Sequence, residues 1–124
     1  YQEIKREIEE TVGRINGLYG SIGWRPIVYS YASLPFPDLL ALYTACDIAL
    51  ITPLRDGMNL VAKEFVATRS DERGVLILSE LAGAAQELQE ALIINPTDTQ
   101  EVADAIGQAL LMPPDEQERR MRRM

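Results

Sequence analysis

The amino-acid sequence predicts an α/β fold in which helices cover both faces of a parallel sheet. Three apolar runs, at 46–54, 75–79 and 92–96, have the length of strands, and each is followed by a segment with helical spacing. Continuous apolar runs of this kind are typical of strands covered on both faces in a parallel sheet. Strands and helices that alternate over short connections form such sheets through right-handed crossovers.

Periodicity and turn residues predict the remaining elements. The apolar residues Ile4, Ile8, Val12 and Ile15 lie on one face of a helix over 2–17, which we expect to cover a core. The segment WRPIVY at 24–29 indicates a short strand with Pro26 near its start or at an edge. Further helices are predicted at 33–45, with Pro37 in the first turn, at about 59–68, at 80–91 and at 98–112, and the tail at 113–124 indicates one more helix or its beginning.

Composition and charge exclude several classes of function. The chain has 124 residues, enough for one domain with a core, and no apolar stretch long enough to span a membrane. Its net charge of −7 disfavours nucleic acid as a partner, because a polyanion is repelled. The absence of histidine excludes an imidazole base and a His-rich zinc site within this chain. Cys46 is the single cysteine and cannot form an internal disulfide, so we expect a cytoplasmic protein. We also expect no metal site and no cofactor.

Both ends of the sequence indicate a part of a larger protein. The chain begins at Tyr1 rather than at methionine and ends with RRMRRM inside a predicted helix. The first predicted element is a helix, so we expect that the strand before it is missing. We therefore predict a single, incomplete domain over 1–124.

The connection after the strand at 46–54 has the features of a ligand site, because ligands of open parallel sheets bind beyond the carboxyl ends of the strands. Gly57 can turn with positive φ or admit a ligand close to the main chain, and Asn59 fits the N-cap of the next helix. The amides of 58–61 then lack internal partners at the positive end of the helix dipole. This arrangement predicts a site for a phosphate or diphosphate.

Carboxylates lie on either side of these amides. Asp56 can accept hydrogen bonds from sugar hydroxyls, and Glu64 from a second polyol such as a ribose, as a sugar nucleotide would require. In the structural alternative, Asp56 only favours the helix dipole, and Lys63 and Glu64 are solvated surface. Arg55 has no ligand role in this interpretation, and we expect it to form a structural salt bridge.

Other polar and small residues favour structural roles. Ser79 is interpreted as a helix N-cap rather than a nucleophile, since no base is available to activate it. The small residues AGAA at 82–85 indicate close packing of a helix on the sheet rather than a phosphate loop. The arginines at 119–123 are interpreted as the solvated end of a helix.

Several motifs resemble the trehalose-6-phosphate synthase family, and the similarity runs over essentially the whole chain. They are GRINGLYG at 13–20, TPLRDGMNLVAKEF at 52–65, GVLILSELAGAA at 74–85 and ALIINPTD at 91–98. The resemblance implies a retaining glucosyltransferase of the GT-B type with two Rossmann-like domains, this chain being most of the C-terminal, donor-binding one. It implies transfer of glucose from UDP-glucose to glucose 6-phosphate without a protein nucleophile.

The resemblance also implies roles for individual residues. Asp56 is the catalytic candidate and holds a hydroxyl of the donor glucose. Among the donor-binding candidates, Gly57, Met58 and Asn59 contact the glucose mainly through the backbone, and the amides of Leu60 and Val61 meet the diphosphate. Glu64 binds the ribose hydroxyls, and the segment from Leu34 to Leu39 lies where the family binds uracil. The acceptor hydroxyl attacks on the face that the nucleotide leaves, and the leaving phosphate takes its proton.

The chain lacks other parts of the family's site. The family's Arg and Lys that neutralise the diphosphate lie upstream of residue 1, and its acceptor site lies in the N-terminal domain. We therefore expect the chain alone to have no useful transferase activity and to bind UDP-glucose weakly. The alternatives are a glucosylglycerol-phosphate synthase, which uses UDP-glucose or ADP-glucose, a catalytically silent regulatory synthase-like domain, and a nucleotide-binding module. The sequence is compatible with an oligomer in each case.

Overall fold

The structure, a computed structural model, describes residues 2–124 and divides into two compact units. The first unit ends at Leu34, and the second is Pro35–Met124. The sheet and all three apolar runs belong to the second unit.

The first unit contains one helix, α1, at Gln2–Tyr19. The helix predicted for 2–17 is confirmed, but none of its residues is buried within the described chain, and Ile4 is 61% exposed. The expectation that its apolar face covers a core is therefore wrong for residues 2–124.

The strand predicted at 24–29 is also wrong. Asn16 of α1 takes both backbone groups of Ile27: its Nδ2 donates to the carbonyl oxygen and its Oδ1 accepts from the N–H, each at 2.9 Å. Pro26 has no N–H to donate to a ladder. A side-chain amide therefore holds this segment where strand pairing was expected.

The second unit is built on a parallel sheet, and the predicted α/β class is confirmed. The strands β1 at Ile48–Ile51, β2 at Val75–Ser79 and β3 at Leu92–Ile94 lie in the order β1-β2-β3. The helices are α2 at Phe36–Ala45, α3 at Leu60–Thr68, α4 at Thr99–Leu110 and α5 at Pro114–Arg123. Pro37 lies in the first turn of α2, as predicted, since its missing N–H costs nothing there.

Alternate side chains of β2 enter two separate cores, one on each face of the sheet. Leu76 and Leu78 pack with residues of α2, α3 and α5, namely Tyr43, Ala62, Phe65 and Met121. Val75 and Ile77 pack with Leu92 and Ile94 of β3 and with Ala105 and Ala109 of α4. Helices therefore cover both faces, as the fold class requires.

Burial differs between the strands. Every residue of β2 is buried, as its continuous apolar run predicted. In β1 no residue is buried, and Leu50 is 45% exposed, so the prediction of full coverage is wrong for this strand. The reason is the placement of α4, which packs mainly on β2 and β3, so Leu50 on the same face of β1 is left partly exposed.

Two predictions for the segment after β2 are corrected. The helix expected at 80–91 is reduced to a short 3₁₀ helix at Gly83–Gln86. Ser79 is not a helix N-cap; it is the fully buried last residue of β2. Its hydroxyl donates to the Pro53 carbonyl at 2.7 Å and accepts from the Leu81 N–H at 3.0 Å, which ties the segment after β1 to the segment after β2.

The C-terminal helix α5 is confirmed, but its arginines are paired. Arg122 forms an ion pair with Glu72, and Arg123 forms one with Glu90. The interpretation of these arginines as a merely solvated helix end is therefore incomplete, since they connect α5 to loops of the same unit.

Candidate functional site

The candidate site lies at the carboxyl edge of the sheet, in the connection from β1 to α3, residues 52–59 (the β1–α3 loop). This is the edge at which open parallel sheets bind ligands. Two side chains of the loop, Asp56 and Asn59, determine its conformation through hydrogen bonds to each other and to the backbone.

Asp56 closes the loop on itself. Its Oδ1 accepts from the backbone N–H groups of Met58 at 3.2 Å and Asn59 at 3.1 Å, and its Oδ2 accepts from Asn59 Nδ2 at 3.1 Å. A carboxylate has about four acceptor positions, so these three bonds leave Asp56 able to accept about one more, for example from a hydroxyl. The expected amides of Met58 and Asn59 are engaged inside the loop in this structure and are not free for a ligand, which corrects that part of the prediction.

Asn59 is the N-cap of α3, as predicted. Its Oδ1 accepts from the Ala62 N–H at 2.9 Å, and its backbone has φ 76° and ψ 87°. The left-handed residue of the loop is Asn59, so of the two roles predicted for Gly57 the turn with positive φ is wrong, and the close approach of a ligand to the main chain stays a prediction. Asparagine tolerates this conformation better than most residues because its short polar side chain bonds locally. The Cα of Gly57 faces open space, with nothing within 4 Å of where a Cβ would lie.

The N-terminus of α3 is open to an anion. The cap takes the N–H of Ala62, and no hydrogen bond found among residues 2–124 occupies the N–H of Leu60 or Val61. The first turn contains no acidic residue, and the side chains of Leu60 and Val61 are 61% and 46% exposed. The free amides and the positive end of the dipole thus remain available for a phosphate group.

Glu64 lies on the same face of α3 as these amides, since residues three and four apart are neighbours on a helix surface. It is half-buried, and its Oε2 accepts a hydrogen bond from the Tyr43 hydroxyl at 3.1 Å. Burial raises the pKa of the Tyr43 phenol above its ordinary value, and the hydrogen bond to Glu64 and its negative charge raise it further. Lys63 forms an ion pair with Glu87. The alternative in which Lys63 and Glu64 are simply solvated surface is therefore wrong.

The support that Gly83 gives to the β1–α3 loop was not predicted from the sequence. Gly83 lies in the 3₁₀ helix that follows β2. Gly83 donates its N–H to the Asp56 carbonyl at 2.9 Å, and Ala84 donates to the Met58 carbonyl at 2.6 Å. A Cβ at Gly83 would lie 1.8 Å from the carbonyl oxygen of Gly57, so only glycine permits this approach. The small residues at 82–85 mark close packing, as predicted: Ala82 and Ala84 pack in the core with Leu76 and Leu78 of the sheet, and the same segment also contacts the β1–α3 loop.

The structure gives less support to the other candidates. Arg55 is exposed and forms no ion pair within the described part of the chain, so the structural salt bridge expected for it is wrong. Leu34 is exposed at the end of the first unit, and Leu39 is half-buried in α2 of the second. Their assignment to uracil binding stays a prediction.

The family model described as glycosyltransferase family 20 matches residues 1–124. The chain belongs to glycosyltransferase family 20. Among described residues, no group of three or more Cys, Asp or Glu side chains is placed to hold a metal ion, and none of the helices is long and apolar enough to cross a membrane.

Relatives within this family carry two different names. The chain is 64% identical over 124 residues to a bifunctional trehalose-6-phosphate synthase/phosphatase of Thermoproteus tenax, covering all of the chain and 17% of that protein. It is 48% identical over 124 residues to a glucosylglycerol-phosphate synthase of Synechocystis sp., covering all of the chain and 25% of that protein.

A solved structure agrees closely with the family 20 fold of this chain. It is an α,α-trehalose-phosphate synthase (UDP-forming) from Burkholderia xenovorans in complex with glucose-6-phosphate, with a TM-score of 0.95 and 47% identity. The match covers 100% of the chain and 28% of that structure, so the chain spans between about a sixth and somewhat over a quarter of the three proteins.

Proposed function

We propose that this chain is the donor-binding part of a UDP-forming α,α-trehalose-phosphate synthase, which transfers glucose from UDP-glucose to glucose 6-phosphate with retention of configuration. The observation that carries the proposal is the open N-terminus of α3, with free amides at Leu60 and Val61 between the carboxylates of Asp56 and Glu64. The Burkholderia xenovorans synthase is UDP-forming and was solved in complex with glucose-6-phosphate, which supports a UDP-linked donor and this acceptor.

Each group has a role that its chemistry allows. The amides of Leu60 and Val61 bind the diphosphate, where the helix dipole supplies about half a positive charge. The remaining acceptor position of Asp56 binds a hydroxyl of the glucose, and Glu64 binds the hydroxyls of the ribose. The open space at Gly57 admits the sugar close to the main chain. Met58 and Asn59 shape this wall of the site, since their own amides bond to Asp56.

The reaction needs no nucleophile from this chain. The acceptor hydroxyl attacks the anomeric carbon on the face from which the diphosphate leaves, and the proton passes to the leaving phosphate oxygen. The chain contributes by holding the donor and by stabilising the negative charge that develops on the leaving group.

The isolated chain is expected to be a weak binder without useful transfer activity. It corresponds in this proposal to a single, incomplete C-terminal domain of a cytoplasmic enzyme, and a helix N-terminus does not replace two cations on a leaving diphosphate. Efficient turnover by the isolated chain would contradict this part of the proposal.

The decisive experiment is a transfer assay on the full-length enzyme that contains this chain. UDP-glucose and ADP-glucose are each combined with glucose 6-phosphate and glycerol 3-phosphate. We expect the highest kcat/KM for UDP-glucose with glucose 6-phosphate. The second candidate, a glucosylglycerol-phosphate synthase, is favoured by the 48% identical relative and would instead show the highest value with glycerol 3-phosphate.

Two substitutions separate an enzyme from a silent domain or a binding module. Asp56→Ala and Glu64→Ala should each lower kcat/KM by about a hundredfold or more if the carboxylates hold the donor, because lost positioning and lost charged hydrogen bonds act together. Asp104→Ala is the matched control, since within residues 2–124 this exposed carboxylate of α4 accepts a hydrogen bond only from Gln100, at 2.8 Å. Equal activity in all three variants would favour a purely structural role for Asp56 and Glu64.

A further inference from the structure

We propose that Tyr43 is a positioning residue that fixes the carboxylate of Glu64 for recognition of a vicinal ribose diol. The hydroxyl of Tyr43 lies 3.1 Å from Oε2 of Glu64, across the contact between α2 and α3. The inference rests on the proposed function, because it assigns a partner to a residue of the same donor site.

The ring of Tyr43 is held firmly by the core. Tyr43 is 7% exposed and packs edge-to-face on Phe65, with ring centroids 6.4 Å apart and an angle of 81° between the planes. Phe65 follows Glu64 directly on α3 and is itself fully buried. The aromatic contact therefore sets the distance between the Tyr43 hydroxyl and the Glu64 carboxylate.

Arg69 fixes the backbone that carries Tyr43. Its buried guanidinium donates through Nη1 to the carbonyl oxygens of Tyr43, Thr44 and Cys46, at 2.9, 2.8 and 2.7 Å. These are carbonyls at the C-terminus of α2, where a cation is favourable to the helix dipole. The same guanidinium lies over the Phe65 ring, 5.7 Å from its centroid. Both the main chain and the ring of Tyr43 are thus constrained.

The chemistry of the contact gives it a direction. An ionised carboxylate only accepts hydrogen bonds, so the phenol donates and Glu64 accepts. The phenol is protonated at neutral pH even at its ordinary pKa of 10.0, and burial together with Glu64 raises that pKa further. One position of Oε2 is then occupied, and both positions of Oε1 and the second of Oε2 remain for two neighbouring hydroxyls. A glutamate that is already held loses less side-chain entropy when it binds a diol.

The test is the variant Tyr43→Phe in the full-length enzyme, because it removes the hydroxyl and keeps the ring. Calorimetric titration is carried out with UDP and with 2′,3′-dideoxy-UDP, which lacks both ribose hydroxyls. We expect the Kd for UDP to rise about five- to tenfold and the Kd for the dideoxy compound to stay within about twofold. In the transfer reaction, KM for UDP-glucose should rise while kcat stays within about twofold.

A double-mutant cycle connects the effect to Glu64. In a Glu64→Ala background, Tyr43→Phe should no longer change the Kd for UDP. The matched control is Thr68→Val, which removes a hydroxyl at the far end of α3. Among the residues that the structure describes, this hydroxyl bonds only to the Phe65 carbonyl, at 2.9 Å. We expect Thr68→Val to leave both Kd values unchanged.

The possible failures are distinguishable. If the unmodified enzyme binds no UDP, the proposed function fails and this inference fails with it. If the unmodified enzyme binds UDP but Tyr43→Phe changes neither Kd, or changes both equally, or acts as strongly without Glu64, then only the positioning role is overturned. Thermal unfolding of Tyr43→Phe, followed in parallel, shows whether an equal loss for both ligands reflects a damaged fold.

Discussion

Two connections at the same edge of the sheet lead from a strand into a helix and are capped in the same way, yet they differ in the charge carried by the first turn of the helix. In the β1–α3 loop, Asn59 caps α3 through the Ala62 N–H, and in the four-residue β3–α4 loop at 95–98, Asp98 caps α4 through the Glu101 N–H. Both loops are closed by an Asx side chain, Asp56 in the first and Asn95 in the second.

The difference lies in what the first turn of each helix carries. In α4, Glu101 reaches back and accepts from the Asn95 N–H at 3.2 Å, so a negative charge already occupies the positive end of the dipole. In α3 the first turn has no acidic residue, and the nearby carboxylate of Asp56 belongs to the loop, where it bonds to Met58 and Asn59 rather than to the first turn. A helix N-terminus whose partial positive charge is balanced by an acidic side chain of its own first turn is a structural cap. A helix N-terminus without such a side chain, beside polar groups, is a candidate anion site.

The loops differ also in strain and support. Asp98 has φ −97°, in the ordinary extended region, whereas Asn59 has φ 76°. The β1–α3 loop is buttressed by Gly83 and Ala84, which donate hydrogen bonds to the carbonyls of Asp56 and Met58. Asn59 is a left-handed residue held in place by a neighbouring segment, and backbone strain of this kind is concentrated at binding sites.

The largest effect is expected from removing that support. Gly83→Ala places a Cβ 1.8 Å from the Gly57 carbonyl oxygen, so the β1–α3 loop must move, and transfer by the full-length enzyme should fall by about a hundredfold or more. Gly107→Ala in α4 is the matched control, because no atom lies within 4 Å of its Cβ position. It should leave transfer unchanged and stabilise the protein by about 0.5–1 kcal/mol. Normal transfer by Gly83→Ala would mean that the loop position does not matter.

Adding a negative charge to the first turn of either helix tests the comparison itself. Val61→Glu gives α3 the first-turn acid that α4 has, and we expect the Kd for UDP-glucose to rise at least about tenfold through repulsion of the diphosphate. Gln100→Glu adds the same charge at the equivalent second position of α4 and should not change this Kd. Calorimetric titration of both variants of the full-length enzyme provides the measurement, and an equal loss in both would show that the effect is general rather than local.

A smaller effect is expected on stability when the two caps are removed. Asp98→Ala should lower the free energy of unfolding by about 1 kcal/mol, as for a typical N-cap. Asn59→Ala should cost about 2–3 kcal/mol, because alanine at φ 76° adds about 1–2 kcal/mol of backbone strain. Urea denaturation of the chain measures both, and equal losses would show that Asn59 is not strained.

The smallest effect concerns pH. Since the pKa of Tyr43 is raised in the folded state, the folded chain retains this proton more tightly than the unfolded chain, whose tyrosines titrate near 10.0. The resulting stabilisation is fully present below about pH 10 and is lost as the pH rises through the folded pKa. The difference in unfolding free energy between the unmodified chain and Tyr43→Phe should therefore shrink above about pH 10. A difference that stays constant with pH would contradict the raised pKa of Tyr43, which burial and the contact with Glu64 produce.

Much of the fold follows from local pattern. The strands β2 and β3 and the helices α3 and α4 could be predicted because apolar runs, caps and spacing are all local signals. The local sequence could not show that the strand expected at 24–29 is absent, because Asn16 forms the hydrogen bonds with the backbone of Ile27 that strand pairing would need. The helix expected at 80–91 failed because Gly83 and Ala84 bond to the β1–α3 loop.

For the site, the residues of the loop could be predicted from the sequence more accurately than the hydrogen bonds that they form. Asn59 as the cap, and the free amides of Leu60 and Val61, agree with the prediction. The prediction of free amides at Met58 and Asn59 is wrong, because both amides bond to Asp56. Of the two roles predicted for Gly57, the turn with positive φ is wrong as well. The Tyr43–Glu64 contact joins residues that are 21 apart in sequence on two helices, and no local signal predicts such a pairing.

The central claim is that the N-terminus of α3 binds the diphosphate of the donor. A titration of the chain with UDP, followed by backbone amide NMR, tests it most directly because each N–H is observed separately. The account predicts weak binding in which the resonances of Leu60 and Val61 shift most, while those of Thr99 and Gln100 at the N-terminus of α4 remain in place. Shifts that centre on α4, or binding that leaves Leu60 and Val61 unperturbed, would contradict it.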